Sequence, residues 1–449
     1  MKEFDVVVVG AGTAGCMAAK TTAVAGLEVC LIDRKNREDV GEKICGDAVG
    51  KHHFDSLGLP YPSGEELERT ILGAKIYAPN TESVFYIKAE RLSAFSVNRH
   101  LFGQRLLRNA IDAGSTFLES TQALEPIINN GFVAGVLTRD LETGSKVELR
   151  GQVVVDASGF FGVIREKLPD KMGVDTEVDK RDVEICYREI RDLKQQVADT
   201  EFCEIFLSQT VAPGGYCWIF PKAKNNVNVG VGVAMREGFP NPKNQLYNDV
   251  LSRPLFNGSK IVSSGTWYDP ARRPIDCMTG NGVAIAGDAA CQVNPIHGGG
   301  IGPSMMGGAL AGKTIIEAME RGDVSREGLW LYNPRYMQSY GAKQAGLDVF
   351  RLLLQKLGDN RIDDIMRHNL ITQEDVLKTS MGEDLRLNIT ETTRRVFRGL
   401  RKLSLLKELH HAASLLRRVK ALYRNYPSSP KDFDEWKRKA RDLIREAGG

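Results

Sequence analysis

Short β-branched runs alternate along the chain with longer segments at helical spacing, and their order predicts the fold. Phe4 to Val9 is an unbroken apolar run closed by Gly10, the pattern of a strand buried on both faces of a parallel sheet. An Ala-rich stretch from Thr13 to Ala25 predicts a helix, and Leu27 to Asp33 predicts a second strand, so the chain starts with a βαβ unit. Ile76–Tyr77 and Val84–Ile87 flank Ala-Pro-Asn and predict a hairpin. Asn98 to Ala113 reads as a helix. Val133–Arg139 and Lys146–Leu149 flank Glu-Thr-Gly-Ser and predict a second hairpin, and Gln152 to Asp156 reads as a separate buried strand ending in a carboxylate.

From Asp182 to Trp267 the pattern changes to successive β-like runs: Glu184–Ile190, Glu201–Ser208, Tyr216–Pro221 and Asn226–Ala234. These predict a separate antiparallel sheet. Gly282 to Gly287 is again a buried strand, followed by a Gly-rich turn and a helix, and the chain beyond Ser325 is helical and polar. The predicted class is α/β. A Rossmann-like nucleotide-binding domain (1–75, 96–165 and 270–325) is interleaved with a β-sheet substrate domain (76–95 and 166–269), and a helical region (326–449) follows.

Composition narrows this picture. A length of 449 residues accommodates two or three units at ~100–200 residues each. Sixty Lys and Arg against 57 Asp and Glu leave a formal charge of +3, too even for a nucleic-acid binder. The opening MKEFDVVVVG fits neither a signal nor a transit peptide, and no run approaches the ~18 apolar residues of a spanning helix. The expected location is the cytoplasm, with peripheral contact on the inner membrane face left open. The eight cysteines form no C-x-x-C pair and no metal spacing, so reduced thiols and no metal site are expected. Forty-five glycines point to tight turns and cofactor loops.

Two of these loops carry chemistry. Gly10-Ala11-Gly12-Thr13-Ala14-Gly15 matches G-x-G-x-x-G between a strand and a helix, with Asp33 closing the second strand. The first Gly allows the turn, the second admits a pyrophosphate, and the third lets helix and strand pack closely. Asp33 suits a free ribose 2′-OH and repels a 2′-phosphate, which favours FAD or NAD over NADP. The second loop runs from Gly287-Asp288 through Asn294-Pro295-Ile296-His297 to Gly298-Gly299-Gly300-Ile301. Asp288 suits a polyol chain, and the amides from Gly299 to Ile301 open a helix and favour an anion such as the pyrimidine edge of a reduced flavin.

These loops together resemble flavoproteins of the p-hydroxybenzoate hydroxylase superfamily. Within it, Lys43-Ile44-Cys45-Gly46-Asp47-Ala48 and Tyr216-Cys217-Trp218-Ile219-Phe220-Pro221, followed eight residues later by Gly230-Val231-Gly232, resemble the archaeal geranylgeranyl reductases. The order and spacing of the motifs agree over roughly residues 1–330, and the long helical C-terminus resembles the longer members. The resemblance implies FAD held by Gly10, Gly12, Ala14, Gly15, Asp33, Cys45, Gly46, Ala48, Arg99, Ala123, Asp288, Gly300 and Ile301. It implies Cys45 as the functional thiol and an isoprenoid lipid as substrate, whose geranylgeranyl double bonds are reduced to phytanyl chains in archaeal membrane lipid biosynthesis. Tyr216, Trp218 and Phe220 alternate at strand period, so they share one face and form an apolar wall; with Pro221 and His297 they are the expected substrate contacts.

Other features leave alternatives open. Asp156-Ala157-Ser158-Gly159 places Ser158 where many hydroxylases of the superfamily carry the carboxylate of an Asp-Gly pair. That puts direct NAD(P)H use in question and admits a ferredoxin as redox partner. His52 and His53 are expected on a helix surface. Arg394 to Arg424 holds ten basic residues and one acid, with Leu400, Leu403, Leu406 and His410 near helical spacing. It fits either a helix resting on an anionic membrane or one packed on the flavin domain. Two further function classes stand beside the reductase: an FAD monooxygenase or halogenase, and a non-catalytic prenyl-lipid binding protein.

Overall fold

A computed structural model describes residues 2–88, 90, 93–197, 199–383 and 400–448. The first strand, Lys2–Val9, lies at the centre of an eight-stranded sheet. It pairs in parallel with Val29–Ile32 on one side and with Lys146–Asp156 on the other, and that last strand pairs in parallel with Val283–Ile285. Both faces are covered, so Val6 to Val9 and Val153 to Val155 are buried and their sequences show no alternation.

Lys146–Asp156 is one continuous strand, not a hairpin arm followed by a separate strand. Its first half pairs antiparallel with Phe132–Asp140 and its second half in parallel with Lys2–Val9. Gly151 does not break it. A Cβ there would lie 2.9 Å from a Val7 methyl, so the glycine permits close strand approach.

The second sheet has seven strands, in the order Lys260–Asp269, Glu184–Asp192, Asn226–Ala234, Cys217–Pro221, Phe202–Phe206, Gly73–Tyr77 and Val84–Lys88. It is mixed rather than purely antiparallel, because Phe202–Phe206 runs parallel to Gly73–Tyr77. That pairing joins the early hairpin to the later strands, a long-range contact that local pattern does not report. Ala48–Gly50, Ala94–Val97 and Leu67–Ile71 form a separate three-stranded sheet.

The helix Thr13–Val24 meets the helix Ile301–Glu320 along small residues. A Cβ on Gly308 would overlap the Ala14 carbonyl oxygen, and one on Gly312 would come within 2.8 Å of Thr21 Cβ. The C-terminal helices Ala342–Leu354, Leu400–Arg424 and Phe433–Ala447 join the same core: Trp330, Tyr423, Tyr426, Phe433 and Trp436 cluster with the central strands.

Of the basic stretch from Arg394, residues 394–399 and the side chains of Leu400 and Leu403 lie outside the described residues. In the described part, Leu405, Leu406, Leu409, Leu415 and Leu416 are buried in the body. The described part of this apolar face packs against the protein's own core. Among the described residues no helix is long and apolar enough to cross a membrane.

Gly308→Ala tests the helix pairing. The added methyl meets backbone, so it is expected to cost about 2–3 kcal/mol and to lower the melting temperature measured by circular dichroism.

Candidate active site

The three glycines of the first loop have separate jobs. Gly10 takes a positive φ of 100°, and a Cβ there would overlap the Ala157 carbonyl. Gly15 packs its Cα on the Gly10 carbonyl. A Cβ on Gly12 would meet nothing within 4 Å, so the space in front of the Thr13–Val24 helix start is open. Asp33 fastens the loop: its carboxylate accepts from Ala11 N at 2.7 Å and from Lys35 N at 3.0 Å. Ala14 is buried at the helix start. Ala123 lies two residues past Thr121, whose amide donates to the Asp33 carbonyl at 2.8 Å. Ala48 begins the short strand that leads away from the Cys45 loop.

Arg99 starts the helix Arg99–Asp112, capped by the Asn98 side chain. It is 8% exposed, yet its Nε and Nη1 have no hydrogen-bond partner among the described residues. Its charge reaches Cys16, Lys35, Lys43 and Cys45, which places it between the glycine loop and the Cys45 loop. A buried guanidinium with two idle donors fits an anionic ligand.

Asp288 pairs with Lys43 at 2.7 Å, and its other oxygen faces Gly300, where a Cβ would lie 3.4 Å away. Burial opposes the Lys43 charge, but Asp288 more than offsets this and the Lys43 pKa is raised. Gly300 caps the helix Ile301–Glu320, whose first amides have no intrahelical acceptor. Open space at Gly12, idle donors on Arg99, Asp33 at its strand end and free amides at Ile301 together fit a dinucleotide with a flavin at its far end.

The Cys45 loop faces one side of the seven-stranded sheet. Rings of Tyr216, Trp218 and Phe220 follow one another at 5.8 and 6.3 Å on that side, while Pro221 alternates to the other. Trp218 is only 6% exposed, because its indole lies over Gly230, where any Cβ would overlap it. Tyr216 and Phe220 remain half-buried. A Cβ on Gly46 would sit 3.2 Å from Phe220 Cε2, so loop and wall touch.

One asparagine ties them together. Asn228 accepts from Trp218 Nε1 at 2.9 Å and donates to the Cys45 carbonyl at 2.7 Å and to Asp47 at 3.0 Å. Asp47 holds φ at 60° and also binds Lys222 Nζ at 2.9 Å, which reaches Glu68 at 3.0 Å. Burial raises the Cys45 pKa, Asp47 adds to this, and Arg99 and Lys43 pull the other way. The net effect keeps the thiol protonated at neutral pH.

Tyr216 OH donates to the His297 carbonyl at 2.7 Å, linking the wall to the second glycine loop. His297 Nδ1 accepts from Gly299 N at 3.2 Å. Although His297 is exposed, desolvation by the packed loop and then the Lys343 ammonium shift its pKa down to about 4. It is therefore neutral, with the proton on Nε2. His53 is not a surface residue: it is 6% exposed and packs on Gly302, where a Cβ would overlap its ring. Its place on the helix Lys51–Leu57 faces inward toward the start of Ile301–Glu320, whereas His52 is exposed. Asn228, Lys222 and the Lys43–Asp288 pair were not foreseen as a clamp.

Comparisons with known proteins give the family. The family model for the geranylgeranyl reductase catalytic domain matches residues 182–266, and that for glucose inhibited division protein A matches residues 5–71. The digeranylgeranylglycerophospholipid reductase of Sulfolobus acidocaldarius is 40% identical over 450 residues, covering 99% of each chain. The chain belongs to the digeranylgeranylglycerophospholipid reductase family.

A geranylgeranyl bacteriochlorophyll reductase-like protein from Thermoplasma acidophilum has the same fold, with a TM-score of 0.77, 23% identity, and coverage of 92% of this chain and 100% of that one. The myxobacterial chondrochloren halogenase shares the fold at a TM-score of 0.63 and 18% identity, over 92% of this chain and 97% of its own. The halogenase likeness is one of fold, whereas the family match extends over the whole chain and includes the Cys45 loop and the aromatic strand.

Family membership and the fit of the loops make FAD the ligand whose binding Arg99 should control. Arg99→Met keeps the buried stem and removes the idle donors. FAD affinity is expected to fall roughly 10- to 100-fold in a fluorescence titration, while the FAD-free protein keeps its melting temperature.

Proposed function

We propose that the chain reduces the C=C bonds of geranylgeranyl chains, as the diphosphate or on glycerol ether lipids, with Cys45 as the proton donor. Bound and reduced FAD supplies the hydride. The observation that carries the reading is a protonated, half-buried thiol held at the junction of the flavin loops and an aromatic sheet face.

The residues divide the work. Gly10, Gly12, Gly15, Asp33 and Arg99 hold the adenosine and phosphates. Asp288, Gly300 and Ile301 hold the flavin end, with the helix start favouring negative charge there. Tyr216, Phe220 and the Trp218 floor line the prenyl chain and exclude water, which matters because an isolated alkene is poorly electrophilic and must be held close. As hydride reaches one alkene carbon, the Cys45 S–H bond breaks and its proton forms the C–H bond at the other, leaving a thiolate. Asn228 and Asp47 fix the backbone from which that thiol projects.

Reducing equivalents come from outside the chain, and we infer a ferredoxin-type protein. Ser158 Oγ donates to Asp156 at 2.6 Å and accepts from Val163 N at 2.8 Å, so its turn is closed on itself and offers no carboxylate to a nicotinamide cofactor.

Anaerobic incubation of dithionite-reduced protein with geranylgeranyl diphosphate, read by mass spectrometry, should show gains of one H2 per double bond. No mass gain under those conditions overturns the reading. Cys45→Ser is expected to lower turnover at least 100-fold with an intact flavin spectrum; full turnover in that variant removes Cys45 from the chemistry. Trp218→Ala is expected to raise KM for geranylgeranyl more than for geranyl substrates, compared within the one variant, and equal effects would show that the indole does not line the channel.

A further inference from the structure

Each double bond reduced turns Cys45 into a thiolate in a place that disfavours charge, and a geranylgeranyl chain carries several double bonds. The thiol must be recharged at a half-buried site. Glu184 is placed to do it. It opens the strand Glu184–Asp192, on the face that carries Cys186 and Arg188 two and four residues on. This is the face of the aromatic wall.

Glu184 is 7% exposed. Its geometry is set by a missing side chain. From the Cβ position that Gly232 leaves empty, Cys186 Sγ lies at 3.3 Å, Glu184 Oε2 at 3.6 Å and Trp218 Cζ3 at 4.0 Å. Farther along the strand, Arg188 Nη2 reaches the Lys43 carbonyl at 3.5 Å, and Gly265, paired with Arg188, packs on Ile44. Cys186 thus stands along the strand between Glu184 and the residues that meet the Cys45 loop.

We propose that Glu184 is the proton reservoir for Cys45, acting through Cys186. The Glu184 O–H bond breaks as an S–H bond forms at Cys186; the original Cys186 S–H breaks as Cys45 regains its proton. A carboxylate is left at Glu184, to be reprotonated from solvent at the cleft. This rests on the reading of Cys45 as proton donor.

The surroundings suit the role. Burial raises the Glu184 pKa to about 7, opposed by Arg351 on the helix Ala342–Leu354. Asp269, paired with Glu184 on the neighbouring strand, is raised well above the usual range by burial and then by Asp288 and Glu184, against Lys43. Burial also pushes up Cys186 and Tyr216, so these neighbours stay neutral around it.

The test follows successive reductions of geranylgeranyl diphosphate by the FAD-loaded protein with excess dithionite, across neutral pH. The wild type should slow as pH rises through about 7, where Glu184 loses its proton. Glu184→Gln should lose that limb, reduce later double bonds at least 10-fold more slowly, and accumulate partly reduced chains; Glu184→Asp should restore part of the rate. Cys186→Ala should slow the same later steps if Glu184→Gln does not fold. An unchanged pH limb and product distribution in both variants overturns the proposal, provided that Cys45→Ser is inactive. If Cys45→Ser is active as well, the failure lies with the thiol reading itself.

Discussion

The site depends on one short loop being fixed at both ends. Lys43 is bound to Asp288 in the flavin-facing layer, and Asp47 is bound to Lys222 and Asn228 on the second sheet. Between these anchors lie Ile44, Cys45 and Gly46, so the distance from the thiol to either side is set by charge pairs and not by loop packing alone. Buried pairs of this kind contribute little net stability, because desolvation offsets the attraction, but breaking one leaves a stranded charge at about 3–5 kcal/mol. They act as registration devices. The left-handed backbone at Asp47 belongs to the same constraint, since the turn that aims Cys45 needs it.

The second theme is neutrality. A hydride acceptor with no polar handle needs a dry cavity, and a dry cavity raises the pKa of every acid in it. Cys45, Cys186, Glu184, Asp269 and Tyr216 are all shifted toward their protonated forms, and His297 toward its neutral one. Water exclusion that helps the hydride step therefore also stocks the cavity with protons. Of the cations, Arg99 and Lys43 lie beside the glycine loops, while Arg188 shares the sheet face of Glu184 and Cys186.

The strand–loop–helix at residue 4 onward was legible because backbone geometry dictates its residue types: only Gly fits at Gly10 and Gly15, and each signals itself. The aromatic triplet was legible for the same reason, since period-2 spacing fixes its face. Partners across sheets were not. Lys43 and Asp288 are 245 residues apart, and Lys222 and Asp47 are 175 apart, so no local pattern couples them. Asn228 did leave a trace: an amide inside a run of Val and Gly is a buried polar group that must find partners. His53 misled because a His pair after a loop looks solvated, and only the Gly302 gap shows otherwise.

That contrast explains why the sheet face carries so much glycine. Gly230 makes room for the Trp218 indole, Gly232 for the Glu184 and Cys186 side chains, Gly265 for Ile44. Each lies beside a large or functional side chain on the next strand, and each weakens the strand that holds it. A sheet whose only task were to fold would place Val at these positions, as this one does on its opposite face at Val227, Val229, Val231 and Val233. The side of the sheet that gives up packing is the side that meets the Cys45 loop, so the cost in stability is confined to that surface.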